Sequence, residues 1–169
     1  MEEQTFIELN KKNYIEDNLY KEIIRSIPFI TVDILLFNYN LTETLVFKRE
    51  NAPLKGQFFS IGGRVFKNEP FIQTAIRKMK EEIGISVDIQ EIIFGGVQDE
   101  IFGDSIFEGV GMHNVNIFYG YILKENDTIK LDSQHVEFKW LNVDNTQIHS
   151  LLQKKIDLVI SRIKDEQNK

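Results

Sequence analysis

Residues 63–85 read Gly63-Arg64-Val65-Phe66-Lys67-Asn68-Glu69-Pro70, then Phe71-Ile72-Gln73-Thr74-Ala75-Ile76-Arg77-Lys78-Met79-Lys80-Glu81-Glu82-Ile83, then Gly84-Ile85. Apolar residues fall at 71, 72, 75, 76, 79 and 83, the spacing of one helix face. Pro70 suits a first helical position, where its missing N–H has no partner to lose, and Gly84 is a natural stop. The spacing predicts a helix over 70–83, fed by a loop and, before it, a strand over 58–66 that contains Gly62-Gly63. Two glycines in a strand fit close approach of the backbone to something. Arg77 and Glu81 lie four apart and share one side of the helix; Lys78 and Glu82 do the same on the flank beside the apolar stripe. Glu82 therefore sits between core and cleft, where a carboxylate is costly unless a cation offsets it. Mg²⁺ takes carboxylate and carbonyl oxygens and keeps several waters. Gly62-Gly63 can offer a carbonyl, since the chain turns sharply there without a Cβ.

Outward from this segment, residues 13–26 read as a helix with Leu19, Ile23 and Ile24 as its apolar stripe, ended before Pro28. Residues 29–37 read as a buried strand rich in β-branched and aromatic side chains. A second strand is expected at 45–48, a loop at 52–57, and further strands at 86–98, 114–123 and 136–141. A last helix over 145–164 would turn Ile148, Leu151, Leu152, Ile156, Val159 and Ile163 inward. Strands in the middle with helices interleaved and at both ends imply an α/β fold, a mixed β-sheet covered by helices. A single domain over 1–169 is expected, with an N-terminal helical extension over 1–27.

At 169 residues, 42% apolar and 27% charged, the composition is that of a globular protein with a sizeable core. No apolar run reaches the roughly 20 residues of a membrane span, and the acidic start Met1-Glu2-Glu3-Gln4 is unlike a signal peptide. A cytoplasmic location is the expectation. With no cysteine, disulfides and thiolate metal sites are excluded. A net charge of −6 argues against a nucleic-acid polymer as partner, but not against a small anion held by a metal ion and a few arginines.

The offsets joining Gly63, Glu69, Arg77, Glu81, Glu82 and Gly84 resemble the signature of the Nudix hydrolases. That family uses a loop–helix–loop to hold a divalent metal against a diphosphate, within an α/β/α sandwich. One position departs: the signature has glutamate where this chain has Lys78. The exchange changes the local charge by two units and places an ammonium where it can pair with Glu82, so one bound cation is expected rather than two. The alternative is that Lys78 is simply solvated.

Other stretches resemble the GDP-mannose mannosyl hydrolases, a Nudix branch that also breaks the consensus in this helix. They are Ile24-Arg25-Ser26-Ile27-Pro28 leading to Val32-Asp33; Lys48-Arg49 with Asn51-Ala52-Pro53 and Gly56; Gly62-Gly63-Arg64-Val65; and Asp132-Ser133-Gln134-His135 with Phe138-Lys139-Trp140-Leu141. Together they span about 20–142. That branch releases GDP and free sugar by attack on the anomeric carbon, with inversion. The resemblance implies Mg²⁺ (or Mn²⁺) held by the Gly62 carbonyl, Glu82 and Gln134, with His135 as general base. It implies Arg49, Arg64 and Arg77 on the diphosphate or orienting the site, Asp33 near the sugar or leaving group, and a homodimer. Histidine suits a proton-accepting role near neutral pH, and arginine offers a planar fork to phosphate.

Two features depart from the branch. Glu81 restores a carboxylate that the branch lacks, and it is a candidate metal ligand that would favour attack on phosphorus. Asn114 stands near where the branch shows tyrosine. Three functions stay open: a GDP-sugar hydrolase, a pyrophosphatase of nucleoside diphosphate derivatives, and a nucleotide-sugar sensor without catalysis. Arg25 is read as a substrate contact or as a helix-end charge, His113 as a residue that lines the cleft or none, and Trp140 as core. The glycine-rich loop over 99–112 is expected to cover the substrate.

Overall fold

The computed structural model describes residues 13–131 and 137–167. Strand β1 (Phe29–Phe37) is its axis, with every residue from Val32 to Phe37 buried. It runs parallel to β6 (Met112–Ile122) along its full length, Phe29 opposite Asn114 through Phe37 opposite Ile122. Its other edge is shared. The end of β1 pairs with β2 (Glu43–Lys48), and Thr31–Ile34 pair with β4 (Ile61–Arg64). Strand β3 (Phe58–Phe59) and β7 (Phe138–Asn142) add to β2, and β5 (Ile93–Phe102) adds to β6 with a bulge near Gly96. The seven strands form one mixed sheet, as the sequence implies.

Helix α1 (Asp17–Ser26) comes first in the chain, α2 (Phe71–Ile83) follows β4, and α3 (Ser150–Gln167) closes the described chain. Alternation along β1 builds two cores. Val32, Ile34 and Leu36 meet Ala75, Met79 and Ile83 of α2. Leu35 and Phe37 meet Leu152, Ile156, Val159 and Ile163 of α3. Each buried aliphatic side chain contributes about 1.5–3 kcal/mol, so both layers are held by the same physics, and the sandwich is α/β/α.

Several boundaries differ from the sequence reading. Helix α1 starts at Asp17, where the Glu16 carboxylate accepts from the Asn18 and Leu19 N–H groups, and Leu19 points outward. Pro70 is the cap before α2 rather than its first residue, with extended backbone at ψ 144°. Gly84 ends α2 in the left-handed region at φ 73°, which favours glycine. Residues 86–92 are loop and a short 3₁₀ turn; β5 runs on to Phe102, so the expected loop over 99–112 shrinks to 103–111. Helix α3 begins at Ser150, after turns that occupy 143–149. Trp140 is 40% exposed, because β7 lies at a sheet edge. Among the described residues no helix is long and apolar enough to cross a membrane.

Candidate active site

The loop before α2 is fastened from its own glutamate. Glu69 accepts from the Phe66 N–H at 3.0 Å and the Thr74 hydroxyl at 2.7 Å. Arg77 then grips it with two bonds, Nε to Oε1 at 2.6 Å and Nη2 to Oε2 at 2.9 Å. The same guanidinium donates to Glu81 at 3.1 Å and to the Arg64 carbonyl at 3.2 Å, and lies 3.8 Å over the Phe66 ring. Burial pushes the Glu69 carboxyl up, but the bonds from Arg77, Phe66 and Thr74 outweigh it and leave it below its ordinary 4.5. Arg77 is only 3% exposed. Four of its five N–H donors are taken by Glu69, the Arg64 carbonyl and Glu81, and it lines neither of the two recesses beside Gly62.

One turn on, Lys78 lies between Glu81, at 3.3 Å, and Glu82, with which it makes a close ion pair. Burial opposes the ammonium, but Glu82 and Glu81 outweigh it and hold it charged. Gly62 is required here, and Gly63 leaves room for the Lys78 side chain. A Cβ on Gly62 would collide with the Val32 carbonyl and the Asp33 carboxylate, and one on Gly63 would come within 3.1 Å of the Lys78 Cε. The Gly62 N–H points to Glu82 Oε2 at 3.4 Å. Arg49, Gly62, Gly63, Lys78 and Glu82 line a recess of about 230 Å³.

Arg49, Gly62 and Gly63 also line a larger cleft of about 460 Å³. Arg64, Asp33, Glu100 and Asn114 open onto it, with Tyr20, Phe29 and Phe102 as an aromatic wall. Arg49 is set by its Nε, which donates to the Pro53 carbonyl at 2.7 Å. Beneath the cleft lies a fully buried Lys155, sent in from α3. Its ammonium bonds Asp33 Oδ2 at 2.5 Å, Glu100 Oε1 at 2.6 Å and Asn116 Oδ1 at 3.2 Å. Neither Lys155 nor Glu100 was singled out in the sequence. The signal for Lys155 was its place in the apolar arc of α3, three residues after Leu152 and four before Val159.

The structure thus brings Asp33, Arg49, Arg64, Gly62 and Glu82 around one double recess; Glu81 lines neither part and pairs with Arg77 and Lys78 behind it. Arg25 is not brought there. It is exposed at the end of α1 and pairs with Glu22 at 3.2 Å. Gln134 and His135 lie outside the described residues. His113 does not line the cleft; it faces Asp99 at 3.2 Å.

Carboxylate and backbone oxygens here are of the kind a hard divalent cation takes. Glu81 Oε1 is buried and has no hydrogen-bond partner among the described residues, an anionic oxygen that a hard cation would satisfy. Glu82 and the Gly62–Gly63 backbone stand alongside. No group of three or more acidic, histidine or cysteine side chains gathers among the described residues, so the protein side chains of 13–131 and 137–167 alone do not complete a shell.

A family model, the NUDIX domain, matches residues 28–160. The chain belongs to the Nudix family of hydrolases. It is similar to the low-salt glycan biosynthesis protein Agl8 of Haloferax volcanii, 26% identical over 143 residues, 85% of this chain and 89% of that one. A MutT Nudix hydrolase from Burkholderia pseudomallei shares the fold with TM-score 0.63 and 20% identity, over 79% of this chain and 99% of that one. The Nudix domain of Shewanella oneidensis NrtR, solved with ADP ribose, does so with TM-score 0.60 and 18% identity, over 99% of each.

Proposed function

We propose that this protein hydrolyses a GDP-sugar, GDP-mannose or GDP-glucose, to GDP and free sugar by attack of water on the anomeric carbon. The observation that carries this reading is the double recess. Arg49, Gly62 and Gly63 join a recess at Glu82 to a larger, carboxylate-floored cleft big enough for a sugar ring. The likeness to a glycan biosynthesis protein supports the substrate class.

Arg49 and Arg64 bind and orient the diphosphate, and the Gly62–Gly63 backbone lets it approach. Asp33 faces the sugar. A water proton passes to His135 as the water oxygen bonds the anomeric carbon; the bond from that carbon to the β-phosphate oxygen breaks, and GDP leaves with the electron pair. Glu82, Glu81, the Gly62 carbonyl and Gln134 would hold a Mg²⁺ ion, which would supply positive charge against the leaving diphosphate.

Glu81 favours a second reading, attack on phosphorus, because its buried unpartnered oxygen restores the carboxylate a pyrophosphatase uses. Hydrolysis in ¹⁸O-labelled water separates the two. Label in the free sugar is expected; label in a nucleoside monophosphate or sugar phosphate sinks attack at carbon. A chain that binds but turns over none of a panel of nucleotide sugars is a sensor.

Lys78 adds a prediction. Its ammonium already occupies both carboxylates, so it competes with the cation. Lys78→Met is expected to bind Mn²⁺ at least about tenfold more tightly, a gain of about 1.4 kcal/mol. Electron paramagnetic resonance of free Mn²⁺ reads this directly, and an unchanged affinity would show that the lysine moves aside without cost.

A further inference from the structure

The geometry points to a sugar-hydroxyl subsite on the cleft floor, formed by Glu100, Asp33 and Asn114 and held in place by Lys155. This deepens the reading above and rests on its nucleotide-sugar substrate class.

Lys155 takes one oxygen from each carboxylate, Asp33 Oδ2 at 2.5 Å and Glu100 Oε1 at 2.6 Å. Ser60 donates to that same Asp33 oxygen at 2.8 Å, and Gln98 to that same Glu100 oxygen at 3.3 Å. Asp33 Oδ1 and Glu100 Oε2 are left with no hydrogen bond among the described residues, on side chains that line the cleft. Asn114, the cross-strand partner of Glu100, supplies an independent sign. It is 6% exposed, it lines the same cleft, and its Oδ1 is buried with no partner among the described residues. A buried polar atom of this kind costs stability unless something bound there satisfies it.

The chemistry of the occupant follows from charge and position. Two carboxylates against one ammonium leave the floor with one net negative charge, which repels phosphate and suits donors. Ionised carboxylates only accept hydrogen bonds. Vicinal hydroxyls offer paired donors. The floor adjoins Gly62, opposite Asp33 in β4, on the side shared with the diphosphate recess. Whichever way a nucleotide sugar lies, the ring directly attached to its diphosphate is a sugar, and the base is one ring further off. Tyr20, Phe29 and Phe102 wall the outer part.

Calorimetry tests the subsite without turnover. Wild type and Glu100→Gln are titrated with a nucleoside diphosphate, its 2′-deoxy form and its hexose conjugate, using whichever of guanine, adenine or uracil the wild type binds. Loss of a charged acceptor is expected to cost the hexose conjugate roughly tenfold or more, with the plain diphosphate unaffected. Loss on the diphosphate that vanishes for the 2′-deoxy form also supports the subsite and puts ribose on it. Equal loss on all three, no loss on any, or no binding by the wild type overturns it. Asn114→Ala is expected to weaken the same ligand while leaving the thermal midpoint unchanged or raised, since that side chain has no hydrogen bond among the described residues and its buried oxygen costs stability when empty; a lowered midpoint with unchanged affinity would make Asn114 merely structural. Sugar-dependent binding without release of labelled sugar would sink the hydrolytic reading and leave the subsite standing.

Discussion

Lys155→Met is expected to destabilise the fold by about 3–5 kcal/mol, the cost of removing one partner from a buried ion pair. At this size each kcal/mol moves the thermal midpoint by about 2–4 °C, so a fall of roughly 6–20 °C should be read by calorimetry at pH 7–8. The reason is local. Lys155 is fully buried, it is the one cation bonded to Asp33 and Glu100 among the described residues, and methionine fills most of its volume without its charge. Burial, with Asp33 beside it, already raises the Glu100 carboxyl above its ordinary 4.5 despite the ammonium. Without Lys155 that rise must grow.

The sign with pH follows. A carboxyl raised in the folded state contributes stability that is fully present below about 4.5 and is lost as pH rises through its folded value. The deficit of Lys155→Met should therefore be smaller at pH 5 than at pH 8. The charged and polar groups acting on Glu100 are Asp33, Lys155 and Gln98, so a second change to Glu100→Gln should restore part of the loss at pH 8. A variant that melts like wild type at both values would mean that the three charges are not buried together. Glu69 works the other way. Its lowered carboxyl contributes stability present above about 4.5 and lost as pH falls below it, so wild type should unfold in acid through the Arg77 clamp.

The helix carrying the motif was legible because its two signals agree. The apolar residues at 75, 79 and 83 face one core, and Glu69, Arg77 and Glu81 meet at the offsets that a loop and two helical turns impose. The cleft floor was not, because it reverses the usual rule. Along β5 the apolar Val97 and Ile101 face out, while Glu100 turns inward to 3% exposure. Alternation identifies two faces and not which one is buried. In α3 a lysine within the apolar arc reads as a long side chain that reaches water. Only the sheet register, which sets Asp33 and Glu100 on either side of β6, reveals why it stays inside.

His135→Gln is expected to lower kcat by about 10²–10⁴-fold while Mn²⁺ and substrate binding persist. The described histidines leave the role open. His113 pairs with Asp99 away from the cleft, and His149 accepts from the Leu151 N–H at 3.2 Å against the Phe59 ring. The carboxylates that do line the cleft are tied to Lys155. Glu137 anchors the incoming chain, its carbonyl accepting from Lys48 N at 2.9 Å and its carboxylate pairing with Lys48 Nζ at 3.0 Å. Lys48 precedes Arg49, which lines both recesses. The wild-type rate should rise with pH as the ring loses its proton and becomes a base, and the glutamine variant should lose that limb. An unimpaired His135→Gln removes the histidine from the mechanism. If Glu100→Gln then abolishes turnover while hexose binding survives, the base is the carboxylate on the cleft floor, and Lys155 sets its proton affinity rather than only its position.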